Sequence, residues 1–110
     1  MKNLLLVSSF IILFSSCAKE SHTLRYEIGC TDCMVVYVDE NGDQQSAYHV
    51  NSNWVKEIEV ETGIYLLMAY NTSGNPEAVT ARMKLDGEIW QERTTYCPIS
   101  GVVLITDTLP

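Results

Sequence analysis

From Leu24 onward, apolar and polar residues trade places at every second step. Val79, Ala81, Met83 and Leu85 fall on one side while Thr80, Arg82 and Lys84 fall on the other. Ile58 and Val60 alternate with Glu57, Glu59 and Glu61 in the same way. No stretch sustains the 3.6-residue repeat of an amphipathic helix for three turns, so the chain has strands, and not helices, with which to build a core. Strands with one apolar face bury it only by layering against another sheet. Residues 64–70 are apolar on both parities, which predicts a central strand covered on both sides.

Turn residues punctuate the alternation. Asn41-Gly42 and Asp86-Gly87 each sit between two alternating runs, and these pairs accept the positive φ angles of a tight hairpin. Thr62-Gly63 and Ser73-Gly74-Asn75-Pro76 mark two further turns. The punctuation delimits strands near 24–28, 34–39, 44–50, 55–61, 64–71, 78–85, 88–95 and 102–106. Seven to eight short antiparallel strands in 110 residues predict an all-β chain, a small immunoglobulin-like β-sandwich, with a small closed barrel as the alternative. The length allows one domain.

The first residues read differently. Lys2 precedes an apolar run from Leu4 to Phe14, and Ser15-Ser16 stand directly before Cys17. The run is too short to span a bilayer and has the layout of a secretory leader. With Phe14-Ser15-Ser16-Cys17 as processing box it resembles a bacterial lipoprotein leader. That resemblance implies cleavage after residue 16 and acylation of Cys17, with more than one chain, as stable anchoring requires. The expected layout is a signal peptide over 1–16, the lipidated Cys17 and a tether to residue 23, and a sandwich over 24–110. The expected place is the bacterial cell envelope, as an outer-membrane lipoprotein facing either the periplasm or the outside.

In the body, Leu24-Arg25-Tyr26-Glu27-Ile28 is followed by Val35-Val36-Tyr37 leading into Asp39-Glu40-Asn41-Gly42. Trp54 then stands before a strand, and Met83-Lys84-Leu85-Asp86-Gly87-Glu88-Ile89 forms a late hairpin. In this order the motifs resemble the extracytoplasmic domain of the MmpS family of mycobacterial transport accessory proteins and its Gram-negative lipoprotein relatives, over roughly residues 24–106. The resemblance implies a small non-enzymatic β-sandwich that assists a proton-driven exporter of lipid or siderophore. The mycobacterial members have a transmembrane helix where this chain has its lipoprotein box, and a late-strand cysteine where Ala81 stands.

Apart from Cys17, the cysteines are Cys30, Cys33 and Cys97. Outside the cytoplasm neighbouring thiols oxidise. If every connection reverses direction, the loops carrying all three lie at one end of the sandwich. Cys97 is then within reach of either partner, in a long loop worth on the order of 4 kcal/mol. The family resemblance instead implies a local Cys30–Cys33 bridge. A thiol redox couple or a soft-metal site built on Cys30, Cys33 and Cys97, with His49 as a fourth ligand, is the competing functional class. The strand flanks and the absence of a βαβ pattern argue against the redox motif.

The remaining candidates have plainer roles. Asp39, Asn41 and Asp43 match the opening of a calcium loop, but Gln44 and Val50 replace the glycine and the bidentate glutamate that such a loop needs. A hairpin turn accounts for them. His49 has no partner that spacing reveals and is expected on a strand, facing water. Fourteen acidic residues against seven basic ones give a formal charge of −7, which excludes nucleic acid as a partner. The Glu57, Glu59, Glu61 stripe reads as a solvated face guarding an edge. Every aromatic residue after the leader is Tyr or Trp. Trp54 is expected to plug an end of the core. Trp90, placed opposite Ile89, reads either as core packing or as an exposed anchor, and if there is a binding face Trp90 and Tyr96 are the candidate contact residues. The sequence therefore points to a non-enzymatic binding or accessory module. No cofactor is expected, the membrane is reached through the N-terminal lipid, and an exporter or another envelope protein is the expected partner. Self-association through unpaired sheet edges or a Cys97–Cys97 bridge is a third class.

Overall fold

A computed structural model describes residues 21–110; the expected signal peptide, Cys17 and the start of the expected tether lie outside the described residues. Eight strands form, namely β1 (His22–Gly29), β2 (Cys33–Val38), β3 (Gln44–Val50), β4 (Val55–Val60), β5 (Gly63–Asn71), β6 (Glu77–Leu85), β7 (Glu88–Cys97) and β8 (Val102–Leu109). They make two four-stranded antiparallel sheets, ordered β4-β1-β6-β7 and β3-β2-β5-β8. The two sheets pack face to face as a β-sandwich.

The two dipeptides expected to close hairpins do so, and they close the two hairpins that stay within one sheet, β2–β3 and β6–β7. At the second, Asp86 (φ 51°) and Gly87 (φ 87°) both take positive φ, the conformation whose twist matches the flanking strands. The other connections cross between sheets. The turns carrying Thr62-Gly63 and Ser73–Pro76 are two of them. β1 starts at His22, earlier than the alternation suggested, because Asp86 holds the segment in place. The Asp86 carboxylate accepts the Thr23 amide at 2.9 Å and lies 2.6 Å from His22 Nδ1, and the Asp86 amide donates to the Thr23 carbonyl at 2.8 Å.

Inward positions follow the parity that the sequence set. Leu24, Tyr26 and Ile28 from β1 and Val79, Ala81 and Met83 from β6 face Cys33 and Val35 from β2, Leu67 and Ala69 from β5, and Val103 and Ile105 from β8. Tyr26 is fully buried at the centre. Its ring lies 5.5 Å from that of Tyr37, which packs in turn 5.6 Å from Trp54, so Trp54 does close part of the core. Burial pushes the Tyr26 hydroxyl pKa well up, and the neutral hydroxyl donates to the Val38 carbonyl at 2.7 Å. Tyr26→Phe is therefore expected to leave that carbonyl without its partner and cost about 1–2 kcal/mol in a urea melt. An unchanged midpoint would show that the bond contributes nothing.

Odd-numbered turns gather at one end of the sandwich, as expected, and bring the three cysteines together in one region. The sulfurs of Cys30 and Cys33 lie at disulfide distance, while Cys97 is a buried free thiol. The long pair to Cys97 therefore does not form. Burial, reinforced by the Glu77 carboxylate, pushes the Cys97 thiol pKa up and makes it unreactive. The end is tied together by Asn71, which is 1% exposed. Its side-chain amide donates to the carbonyls of Asn75 (2.7 Å), Cys97 (3.2 Å) and Pro98 (3.4 Å), and its carbonyl oxygen accepts from the amide and hydroxyl of Ser73.

Candidate functional site

The two outer faces of the sandwich differ in kind. Across the middle of the β4-β1-β6-β7 sheet the outward residues are charged or hydroxylated, and the charges of that central cluster are paired within the chain, while Val55 and Ile89 are exposed apolar residues on its two edge strands. Glu27 is contacted by Arg25 (2.7 Å), Arg82 (2.9 Å) and Lys84 (3.6 Å), and Arg82 also bonds Glu92. Thr80 and Thr94 share a hydroxyl hydrogen bond at 2.8 Å. Burial would raise the Glu27 pKa, but the bonds from Arg82 and Arg25 and the Lys84 charge outweigh it and hold the carboxyl below its ordinary range. The Glu92 and Glu27 carboxylates keep Arg82 protonated more firmly than usual. β4 forms the edge of this sheet, and Glu57 and Glu59 line it as the sequence suggested. Glu57 lies 3.7 Å from Arg25, and Glu59 accepts from Thr23 and Ser21.

A pH dependence follows from Glu27. Its folded pKa lies below the unfolded value, so its contribution is fully present above about pH 4.5 and is lost as pH falls through the lower folded value. Denaturant midpoints measured from pH 7 to pH 2 are expected to fall less steeply on the acid side in Glu27→Gln than in the parent chain. Parallel curves would mean that the cluster carries no linked stability.

The outer face of the β3-β2-β5-β8 sheet includes the strand that looked covered on both sides. β5 is central, as expected, yet among the described residues only its inner side is covered. The registers β2–β3, β2–β5 and β5–β8 arrange the outward side chains in rows. Nearest the disulfide end the row runs Tyr48, Met34, Tyr70, Val102. The next runs Ser46, Val36, Met68, Leu104. The third runs Gln44, Leu66, Thr106 beside the buried Val38, and Ile64 and Thr108 close the face. None of these positions carries Asp, Glu, Lys or Arg. Tyr48 and Ile64 are each 68% exposed and Val102 and Leu104 are 45% and 40% exposed, while Met34, Val36, Leu66, Met68 and Tyr70 are half-buried among their neighbours. On a chain of charge −7, an apolar, uncharged patch spanning four strands is the feature that marks interaction surfaces.

The candidates singled out from the sequence fare unevenly. Trp90 is not the exposed anchor. The β6–β7 register shifts between Met83 and Lys84, so that Lys84 pairs with Ile89 and Met83 with Gln91. This bulge turns Ile89 outward, 58% exposed, and leaves Trp90 packed against the core. Tyr96 is 70% exposed, but it sits opposite Ala78 on the charged sheet, away from the apolar rows. Asp39 is a turn residue. Its carboxylate accepts from Gln45 (2.9 Å), Asp43 (3.0 Å) and Asn41 (2.9 Å), and these bonds, that from Gln45 foremost, lower its pKa. His49 faces water in a bulge of β3 with φ 55°, 3.4 Å from Asp32. Cys33 is fully buried and Cys30 is 8% exposed, which shields the pair from an attacking thiolate. Among the described residues no three His, Cys, Asp or Glu side chains converge where they could hold a metal ion.

The rows themselves were missed in the sequence. The signal was present in Met34–Val38 and Ile64–Tyr70, whose apolar residues occupy both parities. Periodicity reports that both sides of a strand are apolar, not that both are covered. Fold and site together define a class: a β-sandwich with one self-satisfied charged face and one bare apolar face. In comparisons with known proteins the chain matches no family model and no curated protein.

Proposed function

We propose that this protein is a non-catalytic, lipid-anchored envelope module that works by docking through the outer face of the β3-β2-β5-β8 sheet. The apolar, uncharged rows running from Tyr48 to Val102 and from Val36 to Leu104 are the observation that carries the reading. Burying such a face stabilises a complex without stranding charge. The acyl group on Cys17 supplies the location and raises the local concentration of whatever shares the membrane. The resemblance to transport accessory proteins makes an exporter subunit one candidate for such a role. The redox alternative is disfavoured by the burial of Cys33, and the metal alternative by the lack of a converging third ligand among the described residues.

Photoreactive side chains placed at Met68 or at Thr80, one on each outer face, test the reading in whole cells. Adducts are expected from position 68 and not from position 80. The Cys17→Ala variant, lacking its anchor, is expected to leave the membrane fraction and lose most of the adduct. Adducts confined to position 80, or none at either position, would contradict the docking reading.

A further inference from the structure

We infer that the occupant of the apolar face is a second copy of this chain, packed sheet to sheet about a twofold axis that runs along the strands. The inference rests on the docking reading above and names its partner.

Three properties of the face select a copy of itself. Apolar character is graded along the strands. It spans all four strands in the Tyr48–Met34–Tyr70–Val102 row at the disulfide end, and narrows to β5 alone, through Leu66 and Ile64, near the end where β1 begins. The most apolar row thus lies farthest from the anchored end, so a bilayer under the anchor would meet the least apolar part of the face. An axis along the strands matches graded row to graded row and keeps both β1 starts at the same end. Two chains held in one membrane meet this way without either inverting.

Charge gives the second reason. A basic or acidic partner gains nothing from a face with no ionised group, whereas another uncharged face matches it. The main charge cluster of each copy stays on the opposite sheet, where Glu27, Arg82 and Glu92 already satisfy one another. A small apolar ligand is a poor match, because it needs a concavity that buries most of its surface. One surface cleft lies between Glu40, Glu59 and Glu61 at the anchored end, and another between Arg25 and Arg82 on the charged face; neither opens on the first three rows.

Size is the third. Four strands at ~4.8 Å and three rows at ~6.8 Å cover about 19 Å by 20 Å, so a twofold pair buries on the order of 1,000 Å². That is the lower end for specific interfaces. It suits a pair that is weak in dilute solution and forms when both chains share a membrane. The packing is the device the chain already uses inside, two sheets in contact through alternate side chains.

The test uses two full-length copies with different tags, expressed together, one carrying a photoreactive residue in place of Leu104. The expected product contains both tags. It is expected to fall about tenfold when Val102→Glu, an exposed position that the fold tolerates, is added to both copies. An adduct that contains one tag and a different protein or a lipid would overturn self-docking while keeping the face as a docking site. No adduct from position 104 would overturn both readings. The same chain with the photoreactive residue at Thr94 controls for crowding, and a two-tag product of equal yield there would also overturn the proposal.

Discussion

Met68→Glu combined with Leu104→Glu is expected to weaken docking through the apolar face at least about 100-fold while leaving the fold nearly as stable as before. Both side chains point outward in the second row. A carboxylate there is hydrated in the free chain and stranded without a partner in the complex, and an unpaired buried charge costs several kcal/mol. Two of them exceed the ~2.7 kcal/mol that a 100-fold loss represents. In the isolated chain the penalty comes from strand propensity, partial burial and the repulsion of two carboxylates set opposite each other across β5 and β8, about 1–2 kcal/mol, and each 1 kcal/mol moves the melting temperature by roughly 4–8 °C in a domain of this size. Calorimetry together with quantified crosslinking separates the two effects. Unchanged crosslinking with an intact fold would show that the face is not used. A collapse in stability would show that Met68 or Leu104 belongs to the core.

The second large effect concerns the opposite kind of residue. Asn71→Ala is expected to cost about 3–4 kcal/mol, out of a total stability of order 5–15 kcal/mol for a domain. The Asn71 amide holds the carbonyls of Asn75, Cys97 and Pro98, joining the β5–β6 turn to the β7–β8 turn. The backbone around it is tied in as well. The Asn71 amide nitrogen donates to Gly101 and its carbonyl accepts from Ser100. Removing a side chain that is 1% exposed leaves several buried polar groups with neither partner nor water. Asn71→Asp sharpens the test. It keeps the shape but turns the donor into an acceptor facing carbonyls, so it is expected to destabilise at pH 7 at least as much as the alanine variant. Urea unfolding followed by tryptophan fluorescence measures both, and an aspartate variant close to the parent would refute the role given to the donated bonds.

Much of the architecture was legible because period two, turn dipeptides and short spacing all agreed. Asn41-Gly42 and Asp86-Gly87 identified the two hairpins that remain in one sheet, since their geometry is local. Asn71 was hidden, because a buried amide that bridges two turns depends on contacts between residues 71 and 98, far apart in the chain. The alternation alone set Trp90 opposite Ile89 and left core and surface both open, since a bulge reverses the parity of what precedes it and leaves no mark in the alternation. β5 was placed correctly at the centre of a sheet, yet its apolar outer side was read as covered. That misreading conceals the bare apolar face. A strand that is apolar on both sides, in a domain with only two layers, leaves one side open.

Hydroxyl-radical footprinting in the native envelope, set against the same chain diluted in detergent, tests the use of that bare side most directly. Tyr48, Tyr70, Met34 and Met68 react readily and occupy the first two rows, while Tyr96 on the other sheet is the internal reference. Strong protection of the four in the envelope, with Tyr96 modified equally in both samples, is the outcome expected here. Equal modification of all five residues in both samples would mean that nothing covers the face.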